Sequence, residues 1–126
     1  MGKPSVGFIG LGLMGSAMVQ RLLDLDYPMT VLGNRDRTGV EAAVARGATE
    51  AKTAAELAAN SDIVMFCMGT SASVEARVYG DDGVLAGVKP GSVVIDFGTS
   101  LPGSTRQIGA DMDAKGVKYM DAPLGR

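Results

Sequence analysis

The sequence predicts an α/β fold, a doubly wound parallel sheet that forms a single domain of 126 residues. Apolar segments of strand length alternate along the chain with segments in which apolar residues recur at helical spacing. The strand-like segments are so continuously apolar that we expect helices to cover both faces of the sheet. A glycine-rich turn joins the first strand to the first helix, and the chain length is that of one ordinary domain.

Two strand–helix pairs open the chain. Residues 5–10 predict a buried strand, and apolar residues recur at helical spacing over residues 13–25. A second strand is predicted over residues 29–33, directly after a proline. Residues 38–47 predict a helix that stops at Gly47, because glycine commonly follows the last helical residue.

The middle of the chain continues the alternation. Residues 48–52 predict a short third strand or an extended link. A helix is predicted over residues 53–60, where Thr53 and Glu56 have the spacing of a capping box. Residues 62–68 then predict a continuously apolar strand.

The last part of the chain repeats the pattern. Residues 71–79 predict a helix, and residues 80–83 predict a turn. Another buried strand is predicted over residues 92–98. Residues 102–116 predict a helix, with proline near its start and glycine at its end. A final strand is predicted over residues 117–125.

Composition narrows the classes of function. Hydrophobic residues make up 46% of the chain and charged residues 21%, which is typical of a globular protein. The net charge of −2 comes without a basic stripe, so we expect neither nucleic acid nor a membrane as a partner. The longest apolar run, residues 63–68, is far shorter than the roughly 20 residues of a membrane span. No signal-peptide pattern opens the chain, and we expect a cytoplasmic protein.

The chain contains no histidine and one cysteine. The lack of histidine excludes a Ser-His-Asp or Cys-His mechanism and most zinc sites, so no metal site is predicted. Cys67 lies inside an apolar run, and we expect it to be a small buried hydrophobic residue rather than a reactive thiol.

The turn after the first strand reads GFIGLGLMG, with glycines at Gly10, Gly12 and Gly15 in the pattern G-x-G-x-x-G. Gly10 permits a tight turn, Gly12 lets a pyrophosphate approach the backbone, and Gly15 lets the helix pack closely on the strand. The N-terminus of the helix then directs free N–H groups at the phosphates. The motif follows a predicted strand and opens a predicted helix, as a dinucleotide-binding turn of a Rossmann-type fold does. The alternative is a glycine turn with a structural role alone.

The residues after the second strand bear on the choice of coenzyme. A site for NAD places an acid there for the ribose 2′-OH, whereas a site for NADP needs a cation for the 2′-phosphate. Asn34 occupies the place of the acid, Arg35 follows it, and Arg37 and Thr38 lie close by. Because arginine binds phosphate with a fork of donors, these residues favour NADP over NAD. The alternative is that both arginines are solvated loop charges, and Asp36 is a possible ion-pair partner for either.

Four segments, GFIGLGLMG, NR, IDFGTSLP and MDAPLGR, resemble in their order and spacing the β-hydroxyacid dehydrogenases. That family includes the 3-hydroxyisobutyrate, tartronate-semialdehyde, sulfolactaldehyde and 6-phosphogluconate dehydrogenases and reductases, and imine reductases are its relatives. The resemblance covers essentially all 126 residues. It implies an oxidoreductase that transfers hydride between NADPH and a small acid that carries an aldehyde or semialdehyde group.

The resemblance also implies roles for single residues near the adenosine half of the coenzyme. The backbone N–H groups of Leu13 and Met14 would meet the pyrophosphate, and Asn34 with Arg35 would hold the ribose phosphate. Leu11 is included as well, so all residues of the glycine turn from 10 to 15 are expected to bind the cofactor.

Further implied contacts lie in two later loops. The loop of Met68, Gly69 and Thr70 would line the path of the adenosine and the nicotinamide ribose. Members of the family usually have Leu-Pro in place of Met68 and Gly69, so the resemblance is weaker here. Thr99 matches a Ser/Thr position near the nicotinamide, and read without the family it is a hydroxyl after a strand or a helix N-cap.

The last motif bears on the substrate. Many members of the family read D-A-P-V-S-G-G, whereas this chain has Pro123, then Leu124, Gly125 and Arg126. The Gly-Arg form is similar to the sulfolactaldehyde-reductase-like branch, in which arginine grips an anionic group. The resemblance thus implies that Pro123, Gly125 and Arg126 bind a small anionic aldehyde or hydroxy acid. The alternative for Arg126 is a frayed terminal charge.

Family members continue into a helical second domain with a proton-donating lysine, and we expect that domain to be absent from this chain. Lys89, Lys115 and Lys118 do not match the motif of that lysine. We therefore assign no catalytic residue and expect the chain alone to bind NADPH with negligible turnover.

Two other functions stay open, a non-catalytic nucleotide sensor and a domain that binds S-adenosylmethionine. The second would need an acid where Asn34 and Arg35 stand. We also expect a homo-oligomer, because apolar surface near Met120 and Leu124 favours association.

Overall fold

The computed structural model describes residues 3–33, 37–98 and 102–122. Strands and helices alternate along these residues, as expected. The strands are β1 (Val6–Ile9), β2 (Met29–Leu32), β3 (Thr49–Ala51), β4 (Ile63–Phe66), β5 (Val93–Asp96) and β6 (Lys118–Asp121). The helices are α1 (Leu13–Asp24), α2 (Thr38–Ala45), α3 (Ala54–Ala59), α4 (Ser71–Tyr79), α5 (Val84–Gly87) and α6 (Pro102–Asp113).

The six strands form one sheet in the order β3-β2-β1-β4-β5-β6, and each neighbouring pair is parallel. The chain thus starts in the middle of the sheet, builds one half outward through β2 and β3, and returns to build the other half. The predicted doubly wound parallel sheet is confirmed. Strand order reverses between β1 and β4, and the crevice at their carboxyl ends is where such folds bind ligands.

Helices cover the two faces of the sheet unequally. Most of the core lies on the face under α3, α4, α5 and α6, with Phe66, Leu57 and Ile108 fully buried. The opposite face has α1 and α2 over β1 and β2, with Phe8 and Val31 fully buried.

The expectation that helices cover both faces of every strand is wrong for the second half of the sheet. β1 is buried throughout, but in β4 and β5 buried residues alternate with half-buried ones. Met65 therefore lines an apolar groove beside Met18 and Leu22 of α1, together with Phe97. The reason is topological, because the crossovers after β4 and β5 both place their helices on the same face as α3.

The structure adds one short helix that was not predicted and corrects the expectation for Cys67. The four-residue helix α5 follows the predicted turn and packs on α3, where a β-carbon on Gly87 would overlap the backbone of Ala55. A helix this short shows no periodicity in sequence, and tertiary contact decides it. Cys67 is half-buried rather than buried, and its partial burial raises the pKa of its thiol.

The N-terminus of α3 carries the predicted cap. The Oγ1 of Thr53 accepts a hydrogen bond of 3.0 Å from the N–H of Glu56. The carboxylate of Glu56 accepts a bond of 2.8 Å from the N–H of Lys52, one residue before the usual partner in a capping box.

Removal of this cap is expected to weaken the whole domain. Thr53→Ala should lower the free energy of unfolding by about 1 kcal/mol, because one N–H of the first turn loses its acceptor. Thermal and denaturant unfolding monitored by circular dichroism measure the change. Thr53→Ser, which keeps the hydroxyl, should stay within about 0.5 kcal/mol of the parent, and equal losses in both variants would contradict the capping role.

Candidate nucleotide-binding site

The carboxyl ends of β1, β4 and β5 meet at closely packed backbone. Gly10, directly after β1, has a φ of +103°, and a β-carbon there would overlap the carbonyl oxygen of Cys67. A β-carbon on Gly98, after β5, would overlap the carbonyl oxygen of Met68. Glycine at both positions lets the three loops converge on one crevice.

The glycines of the first turn have different surroundings. A β-carbon on Gly15 would overlap the carbonyl oxygen of Gly10, so the third glycine sets how closely α1 approaches β1. A β-carbon on Gly12 would meet no atom of the described residues within 4 Å. The geometry around Gly10 and Gly15 is therefore what a tight dinucleotide-binding turn requires, and the space beside Gly12 is open.

The N-terminus of α1 faces that space. Its N-cap, Gly12, has extended backbone and contributes no side-chain hydrogen bond, and the first turn contains no acid. The first helical bond runs from the N–H of Ser16 to the carbonyl oxygen of Gly12, at 2.8 Å. The N–H groups of Leu13, Met14 and Gly15 precede it and are directed out of the helix end. Such an end attracts anions.

The side chains next to these N–H groups are exposed. Leu13 is 92% exposed and Met14 54% exposed, although both are apolar. This part of the turn thus has backbone donors and uncovered apolar side chains together.

The start of α2 packs against the glycine turn, a contact that was not predicted from the sequence. A β-carbon on Gly39 would lie 2.6 Å from the carbonyl oxygen of Leu11 and 2.5 Å from the Oγ of Ser16. The Ser16 Oγ in turn donates a hydrogen bond of 3.0 Å to the carbonyl oxygen of Leu11. A glycine in the first turn of a helix, where alanine is favoured, was the available signal.

An ion pair lies across the ends of β2 and β3. The guanidinium of Arg37 donates through Nη1 to Oε2 of Glu50 at 2.7 Å and through Nη2 to Oε1 at 2.8 Å. The hydrogen bonds between the two groups lower the pKa of Glu50 and raise the pKa of Arg37. The pair lines an open pocket with Gly33, Ala51 and Lys52.

Glu50 was not a predicted site residue. It belongs to a short edge strand, and no local pattern links it to the loop after β2. Arg37 precedes α2, whose first residue is the exposed Thr38, and the predicted contacts of both with the coenzyme stay predictions. Asn34 and Arg35 lie outside the described residues, and their predicted phosphate contacts stay predictions.

The loop after β4 contains two of the predicted contact residues, Met68 and Gly69. Met68 is half-buried against the larger core cluster, whereas Gly69 is exposed. Thr70 caps α4, since its Oγ1 accepts a bond of 3.1 Å from the N–H of Ser73. Met68 adjoins the crevice through Gly10 and Gly98, and Gly69 lies open beside it.

Asp96, at the end of β5, is fully buried, and it was not among the predicted site residues. Its Oδ1 accepts a bond of 2.9 Å from the N–H of Gly98, and its Oδ2 accepts one of 3.3 Å from the hydroxyl of Tyr119. Burial of Tyr119 raises the pKa of its phenol. Asp96 thereby ties the loop after β5 to β6, and the signal in the sequence was an acid at the end of an apolar run.

The remaining predicted contacts fall beyond what the structure describes. Thr99 follows Gly98, and Pro123, Gly125 and Arg126 follow β6; all four lie outside the described residues. β6 does end at the same edge of the sheet, where the N–H of Ala122 donates to the carbonyl oxygen of Asp96 at 2.9 Å. Over the described ranges, no helix is long and apolar enough to cross a membrane.

Comparison with known proteins shows the family to which the chain is related. A family model described as the NAD binding domain of 6-phosphogluconate dehydrogenase matches residues 5–125. The chain is 39% identical over 122 residues to a probable 3-hydroxyisobutyrate dehydrogenase-like 2, mitochondrial, of Arabidopsis thaliana, covering 97% of this chain and 40% of the relative. It is 35% identical over 119 residues to an NAD-dependent L-serine dehydrogenase of Pseudomonas aeruginosa, covering 94% and 40%.

A solved structure shares the fold at similar identity. The structure of Psf3 in complex with NADP+ and 2-OPP superposes with a TM-score of 0.86 at 31% identity, covering 96% of this chain and 43% of that chain. The chain thus spans about two-fifths of the length of the proteins it resembles, and the match falls on the crevice-bearing sheet described above.

Proposed function

We propose that this chain, which belongs to the β-hydroxyacid dehydrogenase family, binds NADPH in the crevice at the carboxyl ends of β1, β4 and β5, with the adenosine end of the coenzyme beside the end of β2. The observation that carries the proposal is the glycine turn, in which packed Gly10 and Gly15 leave open space beside Gly12 at an uncapped helix end. When bound, a nicotinamide coenzyme supplies the hydride for reduction of a carbonyl or accepts it from an alcohol.

The residues present fit such a coenzyme. A pyrophosphate needs several N–H donors and no competing acid, and the first turn of α1 offers both at Leu13 and Met14. Gly39 and Ser16 hold that turn in place through Leu11. The role of these residues is to bind and orient the coenzyme before any chemistry takes place.

The preference for NADPH rests on the loop after β2. Arg37 precedes α2, and its guanidinium lies beside Gly33 at the end of β2. In the sequence, Asn34 and Arg35 stand where an NAD site has an acid. One relative is named NAD-dependent, and one solved relative contains NADP+. We expect the NADP form because guanidinium groups fit a phosphate dianion better than they fit a neutral hydroxyl.

For the substrate, we propose a small anionic aldehyde or hydroxy acid bound near Pro123, Gly125 and Arg126. The names of the two curated relatives describe dehydrogenases of small hydroxy acids.

We further propose that these 126 residues alone catalyse the reaction negligibly, because Lys89, Lys115 and Lys118 do not match the family's proton donor. A general acid contributes about 10²–10⁴-fold.

Isothermal titration calorimetry of the chain with NADPH and with NADH tests the coenzyme proposal. We expect both to bind, with the Kd for NADPH lower by about two- to fivefold, as one added ion pair at an exposed site allows. Absence of binding by both coenzymes would overturn the nucleotide site. Tighter binding of NADH would overturn only the preference, and readily measured oxidation of NADPH with a small semialdehyde would overturn the proposed inactivity.

A further inference from the structure

We infer that Glu50 is a specificity-determining residue, which limits the preference for a 2′-phosphorylated coenzyme by holding Arg37 in a bidentate ion pair. This inference rests on the proposed function, since it concerns the adenosine end of the same site. It assigns to an edge-strand carboxylate a role that no local pattern in the sequence indicates.

The position of the pair supports the inference. A β-carbon on Gly33 would overlap Oε2 of Glu50 and would lie 2.6 Å from Nη1 of Arg37. The two charged groups therefore lie directly over the last described residue before the loop at the end of β2. That strand end is where a fold of this type binds the adenosine ribose.

The geometry of the pair sets up competition. Glu50 occupies two of the N–H groups of Arg37, at 2.7 and 2.8 Å, with both carboxylate oxygens. These parallel donors are the ones with which a guanidinium grips phosphate. The remaining Nε lies 3.9 Å from Glu41. A 2′-phosphate must therefore displace Glu50 from this fork, or use the remaining N–H groups of Arg37 close to the carboxylates of Glu50 and Glu41.

Charge works in the same direction. The Arg37 guanidinium lowers the pKa of Glu50, so the carboxylate is ionised at neutral pH. An ionised carboxylate beside a phosphate dianion repels it, whereas the neutral 2′-OH of NADH feels no such repulsion. Glu50 thus penalises NADPH more than NADH.

The pair is accessible to a ligand. The side chains of Arg37 and Glu50 are 46% and 34% exposed, and an ion pair so exposed adds little to stability. Removal of Glu50 is therefore expected to leave the fold intact. The effect on coenzyme choice can then be measured in a folded protein.

The test compares Glu50→Gln with Glu41→Gln by calorimetric titration of both coenzymes. The two variants remove the same charge near the same arginine, but Glu41 makes a single contact at 3.9 Å. We expect Glu50→Gln to lower the Kd for NADPH by about three- to tenfold, because the N–H groups of Arg37 become available to the phosphate. This is the size of effect that a charged hydrogen bond has at an exposed site. The Kd for NADH should change less than twofold, and Glu41→Gln should change both less than twofold.

Other results overturn the inference in distinct ways. Weaker NADH binding with unchanged NADPH binding would mean that Glu50 contacts the ribose itself. Equal effects of the two variants would mean that general charge, and not the bidentate pair, is responsible. In an Arg37→Gln background the Glu50→Gln effect should shrink to the part due to direct charge repulsion, and an undiminished effect would contradict a role through Arg37. Failure of the parent chain to bind either coenzyme would instead overturn the proposed function.

Discussion

Replacement of Gly15 by alanine is expected to destabilise the domain strongly and to abolish coenzyme binding. The added β-carbon would overlap the carbonyl oxygen of Gly10, which is backbone and has no rotamer to move away. α1 must then shift from β1, and overpacking of this kind costs about 3 kcal/mol or more. Native domains have only about 5–15 kcal/mol of stability, so the melting temperature should fall by about 10 °C.

Gly103→Ala is the matched control for this prediction. Gly103 also lies in the first turn of a helix, α6, but a β-carbon there would meet no described atom within 4 Å. It should leave the melting temperature unchanged or slightly higher, because alanine is the better helix former. Differential scanning calorimetry measures both variants, and a Gly15→Ala protein as stable as the parent would refute the close-packing argument.

Replacement of Gly12 by serine is expected to separate binding from folding. The position has room for a side chain, and its φ of −75° and ψ of −162° suit a serine N-cap. The serine hydroxyl would accept a hydrogen bond from an N–H of the first turn, so stability should be unchanged or slightly raised. The same hydroxyl would occupy a donor meant for the pyrophosphate and fill its approach. We expect the Kd for NADPH to rise at least about tenfold, the cost of one or two charge-assisted bonds.

Titration calorimetry at matched temperature, together with thermal unfolding, checks the Gly12→Ser variant. A parent-like Kd would show that coenzyme does not lie against this turn and would count against the nucleotide site as a whole. A drop in melting temperature would instead mean that the space beside Gly12 is not open in solution.

Most elements could be predicted from the sequence because their signals are local. α4 begins and ends at the predicted residues, since Thr70 caps it and glycine follows Tyr79. β1, the glycine turn and α1 are likewise set by neighbours in the chain. α5 was missed because four residues carry no period, and its helix depends on contact with α3.

The candidate site divides in the same way. Gly10, Gly12 and Gly15 could be assigned because their spacing is itself the motif. Glu50 could not be assigned in this way, since it lies 13 positions after Arg37 in the chain. Only the pairing of β2 with β3 brings the two side chains together. Asp96 was missed because its partner Tyr119 comes from the next strand.

The amino-acid sequence by itself determined the alternation of strands and helices, the glycine turn and the family. The first two depend on residues close together in the chain, and the family depends on the order and spacing of four short segments along it. Tertiary structure alone decided which face of β4 and β5 stays half-covered and which carboxylate meets Arg37. Both depend on strand order and on the side to which each crossover folds, and these are properties of the assembled sheet that no single segment encodes.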